Sequence, residues 1–95
     1  MTKETAIDRT ETRTQWERRG FSCDLWVDPP GQIWTDFVHD VDELVLLLDG
    51  RLELELDGSF RRLGPGQEVL IPAGTRHTVR NVSDQTARWL YGYRL

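Results

Sequence analysis

The sequence is short of several things at once. It has 95 residues and one cysteine, Cys23, so no internal disulfide can form, and the thiol reads as a half-buried group on a strand. It has two histidines, His39 and His77. No apolar run approaches the ~20 residues of a membrane-spanning helix. The start, Met1-Thr2-Lys3-Glu4-Thr5, lacks the apolar core of a secretory signal, so a cytoplasmic chain with no membrane partner is expected. Positive charge is not in excess. The formal net charge is −4, and Arg18-Arg19, Arg61-Arg62 and Arg76/Arg80 read as solvated spots, which argues against nucleic acid as a partner. A convincing helical period is missing as well. Gln15 to Arg19 could be one helical turn or part of a strand.

What the chain does have is a dense series of short alternating segments. Residues 1–14 are polar and Thr-rich and are expected to be a frayed tail or a short edge strand, with 15–95 as a single domain. Phe21 to Val27 alternates, with Phe21, Cys23, Leu25 and Val27 on one face, and Asp28-Pro29-Pro30-Gly31 ends it. Gln32 to His39 follows, with Ile33, Thr35, Phe37 and His39 on one face and Trp34 and Val38 on the other. Glu43 to Leu48 is apolar on both faces, as in a strand covered on both sides. Asp49-Gly50 and Asp57-Gly58 are two-residue hairpin signals, and the leucines of Arg51 to Leu56 alternate with charges. Ser59 to Leu63 reads as a short strand.

Gly66 to Asn81 reads as strand, turn, strand. Val69-Leu70-Ile71 is broken at Pro72-Ala73-Gly74, and alternation resumes with His77 and Val79 on one face. Arg88 to Tyr93 closes the chain. Eight or nine short strands at this spacing predict an all-β antiparallel sandwich or barrel.

Three polar residues stand among apolar neighbours on these strands: His39, Glu43 and His77. A carboxylate at the head of the most hydrophobic run is costly to bury unless it is paired, hydrogen-bonded or bound to a metal. Two imidazoles and one carboxylate form the facial triad of non-haem iron sites, and the same set suits catalytic zinc. Iron, manganese, zinc, nickel or copper, as a divalent ion, are all compatible with mixed nitrogen and oxygen ligands. The expected pocket lining is Thr35 and Phe37 beside His39, Val45 and Leu47 beside Glu43, Val79 beside His77, and Tyr91. Trp26, Trp34, Trp89 and Tyr93 are further aromatic candidates, or else simply core.

The sequence resembles the cupin superfamily of small antiparallel jelly-roll β-barrels. Gly66, Pro72, Gly74, His77 and Asn81 match all five positions of that superfamily's second motif. Gly31, His39, Glu43 and Gly50 stand in register with the first, and Phe37 occupies the place of a metal-binding histidine. The motifs cover Gly31 to Asn81, and the strand pattern extends the likeness from Phe21 to Tyr93. The resemblance implies that His39, Glu43 and His77 are three of the usual four metal ligands, with the glycines and Pro72 as turn residues. It implies a small-molecule ligand and either an oxygenase, isomerase or lyase or a non-catalytic binding module. A structural role with the histidines as core relics ranks third. Apolar residues on both faces of Leu44 to Leu48 and of the closing strand, together with the resemblance, lead us to expect a homodimer.

Overall fold

The structure, a computed structural model, describes residues 8–95. One helix, α1 (Arg9–Arg18), precedes eight strands. These are β1 (Asp24–Asp28), β2 (Ile33–Phe37), β3 (Glu43–Asp49) and β4 (Leu52–Leu56), followed by β5 (Ser59–Leu63), β6 (Glu68–Ile71), β7 (His77–Asn81) and β8 (Ala87–Tyr93). They form two four-stranded sheets with orders β1-β8-β3-β6 and β2-β7-β4-β5, every pairing antiparallel. This is the jelly-roll barrel that the strand count and the resemblance imply.

The helix corrects one expectation. Residues 9–14 are its first turns and not an edge strand or a frayed tail, while the first seven residues lie outside the described part. Asp8 is the N-cap and its carboxylate accepts from the Glu11 amide at 3.0 Å. Gly20, at φ 88°, turns the chain after the C-terminus. The helix shows no amphipathic stripe because it buries one side chain, Trp16, and leaves the rest in solvent.

That single anchor explains why β3 is apolar on both faces. Val45 and Leu47 point between the sheets, where they pack with Leu52, Leu54, Val69 and Trp89. Leu44 and Leu46 point outward, where they pack with Trp16, Phe21, Cys23 and Leu90. The outer face of β3, which the sequence assigns to a partner subunit, is therefore covered from within the chain. Gly92 on β8 permits this close approach: a Cβ there would collide with the Ser22 carbonyl and lie 3.1 Å from the Trp16 ring. The Trp16 indole N–H donates to Glu68 Oε1 at 2.9 Å, which ties the helix to β6.

The two Asp-Gly turns differ. Asp57-Gly58 joins β4 to β5 as a true hairpin, with Asp57 at φ 48° and Gly58 at φ 86°. Asp49-Gly50 does not make one. β3 pairs with β6 and β8, whereas β4 pairs with β5 and β7, so the chain crosses from one sheet to the other at this corner. Gly50 is needed there because a Cβ would meet Ala87 at about 3.0 Å. The Pro72 to Gly74 turn is a second such crossing, from β6 to β7.

Candidate metal centre

Three segments bring the polar residues to one end of the barrel. His39 lies two residues beyond β2, Glu43 opens β3, and His77 opens β7. The loop before β3 is tied to the Pro72–Gly74 turn by two hydrogen bonds. The Gly74 amide donates to the His39 carbonyl at 2.8 Å, and the Ala73 amide donates to Asp42 Oδ1 at 2.8 Å. Asp42 is thus a strut of the loop. The backbone of β7 pairs Phe37 with His77, and that of β3 pairs Glu43 with Ile71 and Tyr93.

The outcome is a compact group. His39, Glu43 and His77 each offer one ligand atom within 4.8 Å of the other two. Glu43 Oε1 stands 3.5 Å from His39 Nε2 and 3.5 Å from His77 Nε2. Glu43 and His77 are buried, at 4% and 3% exposure, and His39 is half-buried. His77 Nδ1 is 2.9 Å from the Thr75 carbonyl. A carbonyl only accepts, so Nδ1 carries the proton, and in the neutral ring Nε2 presents a lone pair toward Glu43.

Two acceptors facing each other at that distance need a cation between them. Glu43 Oε1 is buried with no hydrogen-bond partner. A proton is one answer. Burial opposes charging His77, but the Glu43 carboxylate and the Thr75 carbonyl outweigh it and raise its pKa above the ordinary histidine value. A metal is the other. Bonds of about 2.1 Å in tetrahedral geometry place ligand atoms about 3.4 Å apart, close to both observed Glu–His separations. The donor set and its spacing fit an ion, and the fixed Nδ1–H of His77 is the outer hydrogen bond that metal-bound imidazoles usually make.

A cavity of about 180 Å³ opens onto this group. Phe37, Val79 and Tyr91 line it, as the sequence leads one to expect. Thr35, Val45 and Leu47 do not. Thr35 is exposed, because the β2–β7 register shifts between Trp34 and Phe37 and turns both of those rings inward. Val45 and Leu47 are fully buried in the core. In their place Trp26, Trp34, Trp89 and Tyr93 complete the wall. The Phe37 ring is stacked 6.0 Å from His39 and tilted 6.0 Å from His77, so the residue at the missing ligand's place closes that side of the group with carbon. Burial pushes the Tyr93 phenol up to about 12, aided by the charge of Glu43, so it stays protonated at neutral pH.

One buried carboxylate that holds the cavity wall was not singled out in the sequence. Asp28, read there as the start of a turn, is 1% exposed. It accepts indole N–H bonds from Trp26 at 2.7 Å, Trp34 at 2.9 Å and Trp89 at 3.0 Å. The available signal was its place two residues after Trp26, on the same face of a strand.

Comparison with known proteins agrees with the fold and gives it relatives. The cupin domain family model matches residues 24–93. A polyketide synthase protein, CurC of Streptomyces cyaneus, is 38% identical over 63 residues, which are 65% of this chain and 41% of the relative. Quercetin 2,3-dioxygenase of Bacillus subtilis (strain 168) is 50% identical over 50 residues, 52% of this chain and 15% of the relative. Among solved structures, the cupin domain of an XRE family transcriptional regulator from Enterobacter cloacae superposes with TM-score 0.73 and 26% identity, covering 84% of this chain and 87% of that one. The chain spans less than half the length of the curated relatives it matches.

Proposed function

This chain belongs to the cupin family, and on that premise we propose that it is a small metal-dependent enzyme of oxygenase, isomerase or lyase type that acts on a small organic molecule. His39, Glu43 and His77 would hold the ion. The observation that carries the reading is Glu43 Oε1, buried, without a hydrogen bond, and 3.5 Å from two imidazole nitrogens. Three protein ligands leave open positions, as catalytic sites require. A bound divalent transition metal (iron, manganese, zinc, nickel or copper) would supply Lewis acidity or a place to activate oxygen.

The chain's own residues supply the rest. The Thr75 carbonyl holds His77 in one tautomer and one orientation. Phe37, Trp34 and Tyr91 keep water from the inner wall and orient an apolar ligand body. Tyr93, whose ring is 4.9 Å from that of His39, keeps its phenolic proton and can donate it in a hydrogen bond to a ligand oxygen. Two curated relatives carry enzyme names, a dioxygenase and a polyketide synthase, which supports chemistry over mere binding. The test is metal analysis of protein purified without chelators, followed by His77→Ala. A stoichiometric transition metal that is lost in the variant is expected, and metal-free protein with an indifferent variant would sink the proposal.

Phe37 favours a second reading, a binding module or sensor without turnover. It removes one ligand from the family's usual set, and a cupin domain of similar size occurs in a transcriptional regulator. Saturable ligand binding with no product formed would select it. A homodimer fits either reading. β1 is a sheet edge whose Leu25, Trp26 and Val27 are 37%, 37% and 49% exposed, and sedimentation at micromolar concentration checks the association.

A further inference from the structure

Three indoles converge on one buried carboxylate, and this has a consequence for what the cavity can hold. Trp26 and Trp34 both donate to Asp28 Oδ1, and Trp89 donates to Oδ2. They come from β1, β2 and β8, so the carboxylate pins rings from both sheets to one point. Every N–H that these rings could offer a ligand is already used. Their cavity side is therefore carbon and π-surface without a donor.

The rings are also set at angles that suit a further ring. Trp26 stands edge-on to Trp34 at 77° and 5.6 Å, and edge-on to Tyr91 at 81° and 5.9 Å. Such arrays take a planar aromatic guest in stacked or T-shaped contact. Among the described residues lining the cavity there is no Lys or Arg, so no side chain there offers a guest carboxylate or phosphate a permanent positive charge. The ionisable lining groups are His39, Glu43, His77 and the two tyrosines.

From this polarised cavity we infer that Asp28 is a positioning residue for a recognition wall, and that the ligand is a planar aromatic compound bearing oxygen. Its ring lies against Trp26, Trp34 and Tyr91, and its oxygen turns toward His39, Glu43 and His77. The inference rests on the proposed function for the place of the oxygen only, since the aromatic wall stands without a metal.

The experiment measures binding of phenol and cyclohexanol to chelator-treated protein by NMR titration, in the parent and in Asp28→Asn. An amide in place of the carboxylate turns one acceptor into a donor and releases at least one indole. Phenol is expected to bind roughly tenfold more tightly than cyclohexanol to the parent, the size of one good aromatic pair. In Asp28→Asn that ratio should fall below about threefold. A purely structural role would weaken both ligands equally and leave the ratio unchanged, which would overturn the inference. Should Asp28→Asn fail to fold, Trp26→Phe reports instead, because it keeps a ring and loses the pin. The ratio is again expected to fall, and an unchanged ratio again refutes the assignment. Cobalt(II) titration of the same parent protein, followed by visible absorbance, separates the two readings. Cobalt binding without a preference for phenol overturns the recognition wall and leaves the metal centre standing. A preference for phenol without cobalt binding supports the wall and removes the metal centre.

Discussion

Two carboxylates are buried, Glu43 in the cavity lining and Asp28 bonded to three indoles of that lining, and they are in opposite condition. Asp28 accepts three indole N–H bonds. Glu43 leaves Oε1 with none and faces two imidazole nitrogens. Burial of a charge is tolerated when its lone pairs are satisfied and costs free energy when they are not. The satisfied one holds a wall together, and the unsatisfied one is the carboxylate we propose as an ion ligand. The difference distinguishes architecture from site where burial alone, 1% against 4%, does not.

The comparison can be broken most directly at Asp28. Asp28→Leu removes the acceptor of three indoles, one of them on the buried Trp89, and should cost about 3–5 kcal/mol in urea denaturation. A loss under about 1 kcal/mol would mean that the three bonds contribute little net stability. Glu43→Gln should behave in the opposite way. With no bond to lose at Oε1 when His77 is neutral, the metal-free protein should keep its stability at pH 8, while zinc affinity measured by competition should fall at least about 100-fold with the loss of a direct ligand. A large loss of metal-free stability at pH 8 would show that Glu43 is structural after all.

A smaller effect is expected at the ring that stands where a fourth ligand would be. Phe37→His should raise zinc affinity by about tenfold, and melting curves should show little change without metal, because Phe37 is 38% exposed. The smallest effect is a reversal of sign with pH. The folded pKa of His77 lies above its ordinary value. In metal-free protein its contribution to stability is thus fully present below the unfolded pKa of about 6.5 and is lost as pH rises through the folded value. Metal-loaded protein should show the reverse, since protons compete for Nε2 and acid releases the ion. Paired melts at pH 6 and 8, with chelator and with zinc, read both slopes. Glu43→Gln should flatten the slope of the metal-free protein.

Much of the site was legible because it is carried by local signals. His77 follows a Pro-x-Gly break, and Glu43 heads an apolar run where a carboxylate is conspicuous. Thr35 misled because period-two alternation presumes a regular strand, and the β2 irregularity between Trp34 and Phe37 shifts the phase. The Asp49-Gly50 signal misled because a turn's dihedral preference is local, whereas its partners are chosen by the sheets. The sequence leaves the helix undecided at residues 15–19 and unread before them because a single buried tryptophan carries no period.

By itself, the sequence determined the approximate places of the strands, eight or nine of them, the all-β class, and the three residue types able to hold an ion. Those are properties of alternation, turn chemistry and donor identity, which act over a few residues. Only the tertiary structure decided that β3 is covered by the chain's own helix, that His39, Glu43 and His77 meet within 4.8 Å, and that Asp28 gathers three tryptophans. Those contacts join residues as much as 61 positions apart, and no local preference encodes which distant group will satisfy a buried charge.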